Sequence, residues 1–478
     1  MPNAARRRTW RVVTPALCVE YHVSRKRLLR VRLRRTVRGM KRLLLMLPAP
    51  LLIAAAPPSP SPAALHATIA KLVSFGTRHT LSTTTDPARG IGAARRWVAG
   101  EFGALGAKCG NCLTVETIGD IFSGPRAPNG VRVEDVIAIQ KGSSDPDRVV
   151  IVQGHIDSRV NDVMDATADA PGANDDASGV ALVMEAARLL SREKFPATIV
   201  YAALSGEEQG LWGGKLLAAT AKARGWKVAA VLNNDIVGNT HGIGGEHVTD
   251  RVRVFSEGIR AAADAAGVTQ QRGTGGEDDS PSRALAKAAS RAAAAHPAIG
   301  LKVLAVRRPD RFQRGGDHIP FLEAGFPAVR FTEATENYDR QHQLVRVENG
   351  RHYGDTIDWV DFPYLARVTA LNVALLRELA SAPAAPAQVV ISGALSDDTH
   401  VAWDAVPGAA GYRVRWRSAD GSAWTNSRDL PANATTADLP HVNIDDHFFG
   451  VSALASGGAE SLVTFGGVPP APPVGSKR

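Results

Sequence analysis

The chain has 478 residues, enough for two or three domains with full cores, and its 44% hydrophobic and 22% charged content is that of a globular protein. Its 56 Lys and Arg against 47 Asp and Glu give +9, yet residues 1–39 hold twelve basic residues and one acid, so that segment carries +11 and the remainder −2. A basic body is excluded, and nucleic-acid binding would depend wholly on residues 1–39, with no support in the rest of the chain.

From Met40 the sequence reads MKRLLLMLPAPLLIAAAPPSPSPA: a short cationic start, an apolar run from Leu43 to Ala56 and a small-residue exit. This is the pattern of a secretory signal peptide over 40–56, with cleavage after Ala56. The run is too short to span a bilayer, which takes about 20 apolar residues, and Pro48 and Pro50 interrupt it, so no membrane span is expected. Since a signal peptide begins at the initiator, residues 1–39 read as a mis-assigned extension and Met40 as the true start. The mature chain would then hold 42 basic and 46 acidic residues and be secreted or periplasmic. Cys18 falls in the extension, leaving Cys109 and Cys112, which with no second pair to complete a zinc site read as a small structural disulfide.

Between 62 and 380 strand-length apolar runs appear at 149–153, 198–204, 228–232 and 328–331. Helical patterns are expected at about 178–193, 209–223, 250–266, 281–295 and 362–380. Fully apolar strands separated by helices predict an α/β fold, a mixed but mainly parallel sheet with helices on both faces. SAPAAPA at 381–387 is a Pro/Ala linker. Beyond it, VAWDAVPGAAGYRVRWR and HFFGVSALASGGAES alternate in the way of a small all-β sandwich. The stretch 388–468 resembles a fibronectin type III module, with Trp403, Tyr412 and Val414 at its early core positions, and 469–478 is expected to be a disordered tail. Trp416 and Trp424 have two readings, a surface for protein or polysaccharide and simple packing, the commoner fate of such aromatics.

In open parallel sheets functional groups gather at the carboxyl ends of strands. Here VVIVQG runs into His155 and Asp157, TIVYAALSG into Glu207 and Glu208, and VAAVLNN into Asp235. The acidic loop PGANDDASG, with Asp175 and Asp176, precedes the first long helix. Singly, each has a bland reading; either Asp of the loop suits a helix N-cap. Together, one His and several carboxylates on one rim would repel each other without a cation. Imidazole with carboxylate suits zinc, and four anionic groups are more than one ion needs, whereas two ions sharing a carboxylate account for them.

The motifs QGHIDS (153–158), GANDDASG (172–179), SGEEQGLWG (205–213) and NNDIVGN (233–239), in this order, resemble the co-catalytic di-zinc exopeptidases of the aminopeptidase Y and aminopeptidase S type, whose relatives include glutamate carboxypeptidases and glutaminyl cyclases. The resemblance spans 62–380. It implies that His155, Asp175 and Asp235 bind one zinc, and that Asp175 bridges to a second zinc held by Glu208 and a late His. Asp175 is preferred to Asp176 by its distance from the Gly of the SG pair. The late His is His342 in NYDRQHQ, while His318 in GGDHIPF corresponds to a pocket residue that does not bind metal. Glu207 would be the general base, pointing away from Glu208 as neighbours in an extended segment do, and Asp157 would orient the His155 ring.

The expected activity is therefore hydrolysis of terminal peptide bonds in peptide or protein substrates, most often as an aminopeptidase. Alternatives are a carboxypeptidase, a glutaminyl cyclase or a catalytically inactive binding ectodomain. The complete ligand set counts against the last two. Side-chain preference would come from the loops at 239–249 and 306–340.

Overall fold

The structure, a computed structural model, describes residues 59–467. The expected extension at 1–39, the signal peptide at 40–56 and the tail at 469–478 lie outside the described residues. Among those described, no helix is long and apolar enough to cross a membrane.

Eight strands form one sheet: β1 (Thr114–Gly124), β2 (Ala127–Gln140), β3 (Asp145–His155), β4 (Ala197–Leu204), β5 (Lys227–Asn234), β6 (Arg251–Phe255), β7 (Lys302–Val306) and β8 (Ala328–Glu333), in the order β1-β2-β4-β3-β5-β8-β6-β7. Strand β3 runs parallel to both β4 and β5, β5 to β8, and β6 to β7, while β1, β2 and the β6–β8 pairing are antiparallel. The sheet is thus mixed and mainly parallel, as its apolar strands predict.

Helices α1 (Pro62–Val73), α2 (Gly90–Lys108), α3 (Ala177–Leu190), α4 (Glu207–Gly210), α5 (Trp212–Ala223), α6 (Ala265–Gly273), α7 (Pro281–Ala295), α8 (Ile319–Glu323) and α9 (Phe362–Ser381) complete this part of the chain. The reason for unbroken apolar strands is visible in β3. Val150 and Val152 pack into the core beneath α1, α2, α3, α7 and α9, while Val149 and Ile151 pack into the core beneath α5 and α8. Alternate residues face opposite sides, and neither side is wet, so β4 is buried at every position.

The pattern at 250–266 does not form the expected helix. Val252 and Val254 are buried and Arg251 is exposed, a period of two, and the segment pairs as β6; a helix follows only at α6. Sheet pairing with β7 and β8 overrides the helical spacing of the alanines downstream. The expected helix at 209–223 is also split, by Leu211 in a left-handed conformation, into α4 and α5. Cys109 and Cys112 are joined as a disulfide at the end of α2.

A short hairpin, β9 (Arg346–Glu348) with β10 (Arg351–Tyr353), precedes α9. After α9 come β11 (Val389–Ser392), β12 (Thr399–Trp403), β13 (Gly411–Ser418), β14 (Asn426–Pro431), β15 (Thr436–Leu439), β16 (His447–Leu454) and β17 (Thr464–Phe465). They make two antiparallel sheets, β11-β12-β15 and β14-β13-β16-β17, around Val401, Trp403, Tyr412, Val414, Phe449 and Val451. Trp416 packs at the edge of that core. Trp424 lies with Lys287 and Arg417 over its ring, so it packs against charged stems rather than standing free.

Candidate metal centre

Strands β4, β3 and β5 lie side by side and parallel, so their carboxyl ends share one rim. His155 ends β3, Glu207 and Glu208 follow β4 by two residues, and Asp235 follows β5 directly. Asp175 sits in the loop that enters α3, and His342 in the loop after β8. All are buried or nearly so.

Two trios result: His155, Glu207 and Asp235, and Asp175, Glu208 and His342, each with ligand atoms within 4.8 Å of one another. Asp175 joins them. Its Oδ1 lies 3.2 Å from His155 Nε2 and its Oδ2 lies 2.9 Å from His342 Nε2. His342 Nε2 is also 2.9 Å from Glu208 Oε1, and His155 Nε2 is 3.9 Å from Asp235 Oδ1. Asp176 turns the other way: its carboxylate caps α3 by accepting from Gly179 N–H at 2.9 Å and takes the His155 N–H at 3.0 Å. The Asp175–Asp176 peptide is cis.

Glu207 and Glu208 are not in an extended segment, as expected, but in the first turn of α4, which Gly206 opens at φ 76°, a conformation that favours glycine. They diverge because successive helical residues are about 100° apart. Three buried carboxylates hold this turn and its two flanks by the backbone. Asp135 accepts from Ser205 N–H at 2.9 Å, Asp317 from Gly214 N–H at 3.0 Å, and Asp157 from Glu207 and Glu208 N–H at 3.3 and 3.1 Å. The contact that orients His155 is therefore made chiefly by the Asp157 carbonyl, 3.0 Å from Nδ1, with the carboxylate at 3.6 Å. That leaves Nδ1 protonated and Nε2 free to bind.

Four further residues support the site without having been expected. Asp355 accepts from the amides of Asn174 and Asp175 at 2.9 and 2.7 Å, and Arg78 donates to the carbonyls of Ile156, Pro171 and Gly172, so the loop bearing Asp175 is pinned from both sides. Arg330, fully buried, lies 2.8 Å from Asp235 and 3.3 Å from Asp310. Arg159 lies 2.7 Å from Glu208 and 2.6 Å from His342 Nδ1. His318, expected at the pocket, has no exposed surface. Its Nε2 is 2.8 Å from the Pro309 carbonyl and 3.7 Å from Asp310, which also pairs with Arg330.

The electrostatics ask for a cation. Burial, with Asp235 and Glu208 adding to it, pushes the Glu207 carboxyl well above the ordinary range. Burial alone would lower His342, yet Glu208 and Asp175 push it to about 9. His155 Nε2 and Glu208 Oε1 are buried and make no well-aligned hydrogen bond, only the close contacts to Asp175 and His342. A ring nitrogen and a carboxylate oxygen of this kind, set among further carboxylates in two trios linked by Asp175, suit divalent ions of the zinc type. A third trio, Asp397, Asp398 and His441, is exposed on the sandwich loops, where solvated acids need no ion.

The model of peptidase family M28 matches residues 135–350, a span that contains both buried trios. Among curated proteins, the chain is 44% identical over 407 residues to a probable zinc metalloprotease of Pyrenophora tritici-repentis, covering 84% of each chain. It is 43% identical over 405 residues to a probable zinc metalloprotease of Leptosphaeria maculans, covering 84% of this chain and 93% of that one. The chain belongs to peptidase family M28. Solved structures similar to it include LapB of Legionella pneumophila (18% identity, TM-score 0.48, 67% of this chain and 72% of that one) and the glutaminyl cyclase of Porphyromonas gingivalis (17%, 0.46, 67% and 98%).

Proposed function

We propose that this chain is a zinc-dependent metallopeptidase with two ions that hydrolyses terminal peptide bonds, acting as an aminopeptidase. The observation that carries the reading is the Asp175 carboxylate, with one oxygen toward each histidine and Glu207 beside it on the clamped turn. His155, Asp175 and Asp235 would hold one zinc, and Asp175, Glu208 and His342 the other. Bound zinc makes water acidic near neutral pH and polarises a carbonyl. Glu207 takes the water's proton and delivers it to the leaving amine, as a general base and then a general acid; its raised affinity for a proton suits that relay. Asp157 acts through the backbone, holding Glu207 and Glu208 in place.

Export rests on the pattern at 40–56, which would deliver a mature protein starting near Pro57 to the periplasm or medium. The domains in this reading are the peptidase at 62–380, the linker at 381–387 and a fibronectin type III-like module at 388–468. N-terminal sequencing of the exported protein checks the first point; an N-terminus upstream of Met40 overturns it.

Activity is tested on aminoacyl p-nitroanilides, on carboxyl-blocked and amino-blocked peptides, and on peptides with N-terminal Gln. Cleavage only where the amino end is free supports the aminopeptidase. Cleavage only where the carboxyl end is free, or ring closure of Gln, assigns the alternative activities. Turnover that survives complete metal removal overturns the zinc reading. Glu207→Gln should keep both metals and lose turnover by about 10²- to 10⁴-fold.

A further inference from the structure

Away from the rim, a cavity of about 330 Å³ lies between α7, β7 and the sandwich loop that carries Trp424. It is built on one stripe of α7. Arg283, Ala286, Lys287, Ser290, Arg291 and Ala294 recur at helical spacing and all line it. Arg307 closes one side and Asp278 is the single acid among the lining residues, so four cations face one anion. Asp278 is already engaged, at 3.2 Å from Lys287 and 3.0 Å from Arg307.

The hydrogen-bond inventory is lopsided in the same sense. Arg283, only 7% exposed, spends Nη1 on Ser256 Oγ and the Val306 carbonyl and leaves Nε without a partner. Arg291 Nη1 and Trp424 Nε1 are likewise buried and unpartnered. Every unsatisfied polar atom among the lining residues is a donor. Buried donors without acceptors are costly, and a desolvated guanidinium pairs best with a carboxylate. The walls are alanine methyls, side-chain stems, three serines and the indole of Trp424, so the space is mostly apolar with cations set along the α7 stripe.

We infer that this cavity is a binding site for a small amphipathic organic anion, an aromatic or branched apolar body with one carboxylate and no ammonium group. The carboxylate sits at Arg291, and the body lies along α7 against Trp424. None of the lining residues belongs to the buried trios, so occupancy and metal binding are separable.

Three probes share one body and differ in charge: 4-phenylbutyrate, 4-phenylbutanol and 4-phenylbutylamine. Titration of the full chain by calorimetry should give saturable binding of the butyrate with a dissociation constant of about 1 mM or below, at least about fivefold weaker binding of the alcohol, and none of the amine. Arg291→Met, which keeps the stem, should weaken the butyrate about tenfold. Ala294→Trp, a substitution at an exposed position that fills the cavity, should abolish binding and leave peptidase turnover and the melting temperature unchanged. No saturable binding of the butyrate, equal binding of the alcohol, or undiminished binding in Ala294→Trp each overturns the assignment.

Discussion

The two trios at the rim are chemically alike but built differently. His155, Glu207 and Asp235 stand on the ends of three adjacent central strands, and Asp235 is backed by a fully buried arginine. The other trio depends on His342, which sits in a loop at φ 53° with a side chain 21% exposed, and its arginine, Arg159, is partly open to solvent. One half takes its geometry from the sheet, and the other must be held by local contacts. Asp175 reaches from its own trio to His155 of the other, and it is fastened by Asp355 and by the loop that Arg78 grips.

Asp175→Asn tests the shared element and should have the largest effect, loss of both ions on metal analysis and a fall in turnover of about 10³-fold or more. Retention of two tightly held ions would break the view of Asp175 as the link. Next, Asp235→Asn and His342→Ala should each leave one ion. The ion remaining in His342→Ala should be held in the more rigid trio and resist chelator longer than the ion remaining in Asp235→Asn; equal release rates would erase the distinction. Arg330→Met leaves Asp235 and Asp310 without their buried counter-charge and should destabilise the fold by about 3–5 kcal/mol. Arg159→Met, at a side chain 13% exposed, should cost less than Arg330→Met, with its main effect on metal binding by the trio of Asp175, Glu208 and His342. Denaturant unfolding of the two metal-free variants measures this last and smallest contrast.

The same contrast governs what the sequence discloses. The first trio is legible because apolar runs such as VVIVQG and VAAVLNN end in polar residues, and a parallel sheet brings such ends together. The second needed a choice between His318 and His342, since loop position leaves no periodic trace. Arg159 and Arg330 escaped because arginine is ordinarily a surface residue, and its burial depends on acids distant along the chain. The β1–β2 hairpin escaped as well. Its outer strand, TVETIGDIFSG, is half exposed and too polar to stand out. The 250–266 segment misled because short β6 is followed directly by an alanine-rich stretch.

The turn at Gly275 and Gly276 gives the sandwich a role that its lack of catalytic groups hides. Phe448 and Phe465 approach these glycines so closely that a methyl group at Gly275 would collide with the Phe448 ring and one at Gly276 would crowd Phe465, and Arg417 pairs with Asp279 across the same seam. The Pro/Ala segment at 381–387 is thus no hinge, and the sandwich is a piece of the enzyme's outer wall. Cutting the chain there would strip two aromatic rings and a buried ion pair from the catalytic half. The intact protein should melt in a single calorimetric transition, whereas a fragment ending at 387 should aggregate at concentrations the whole chain tolerates.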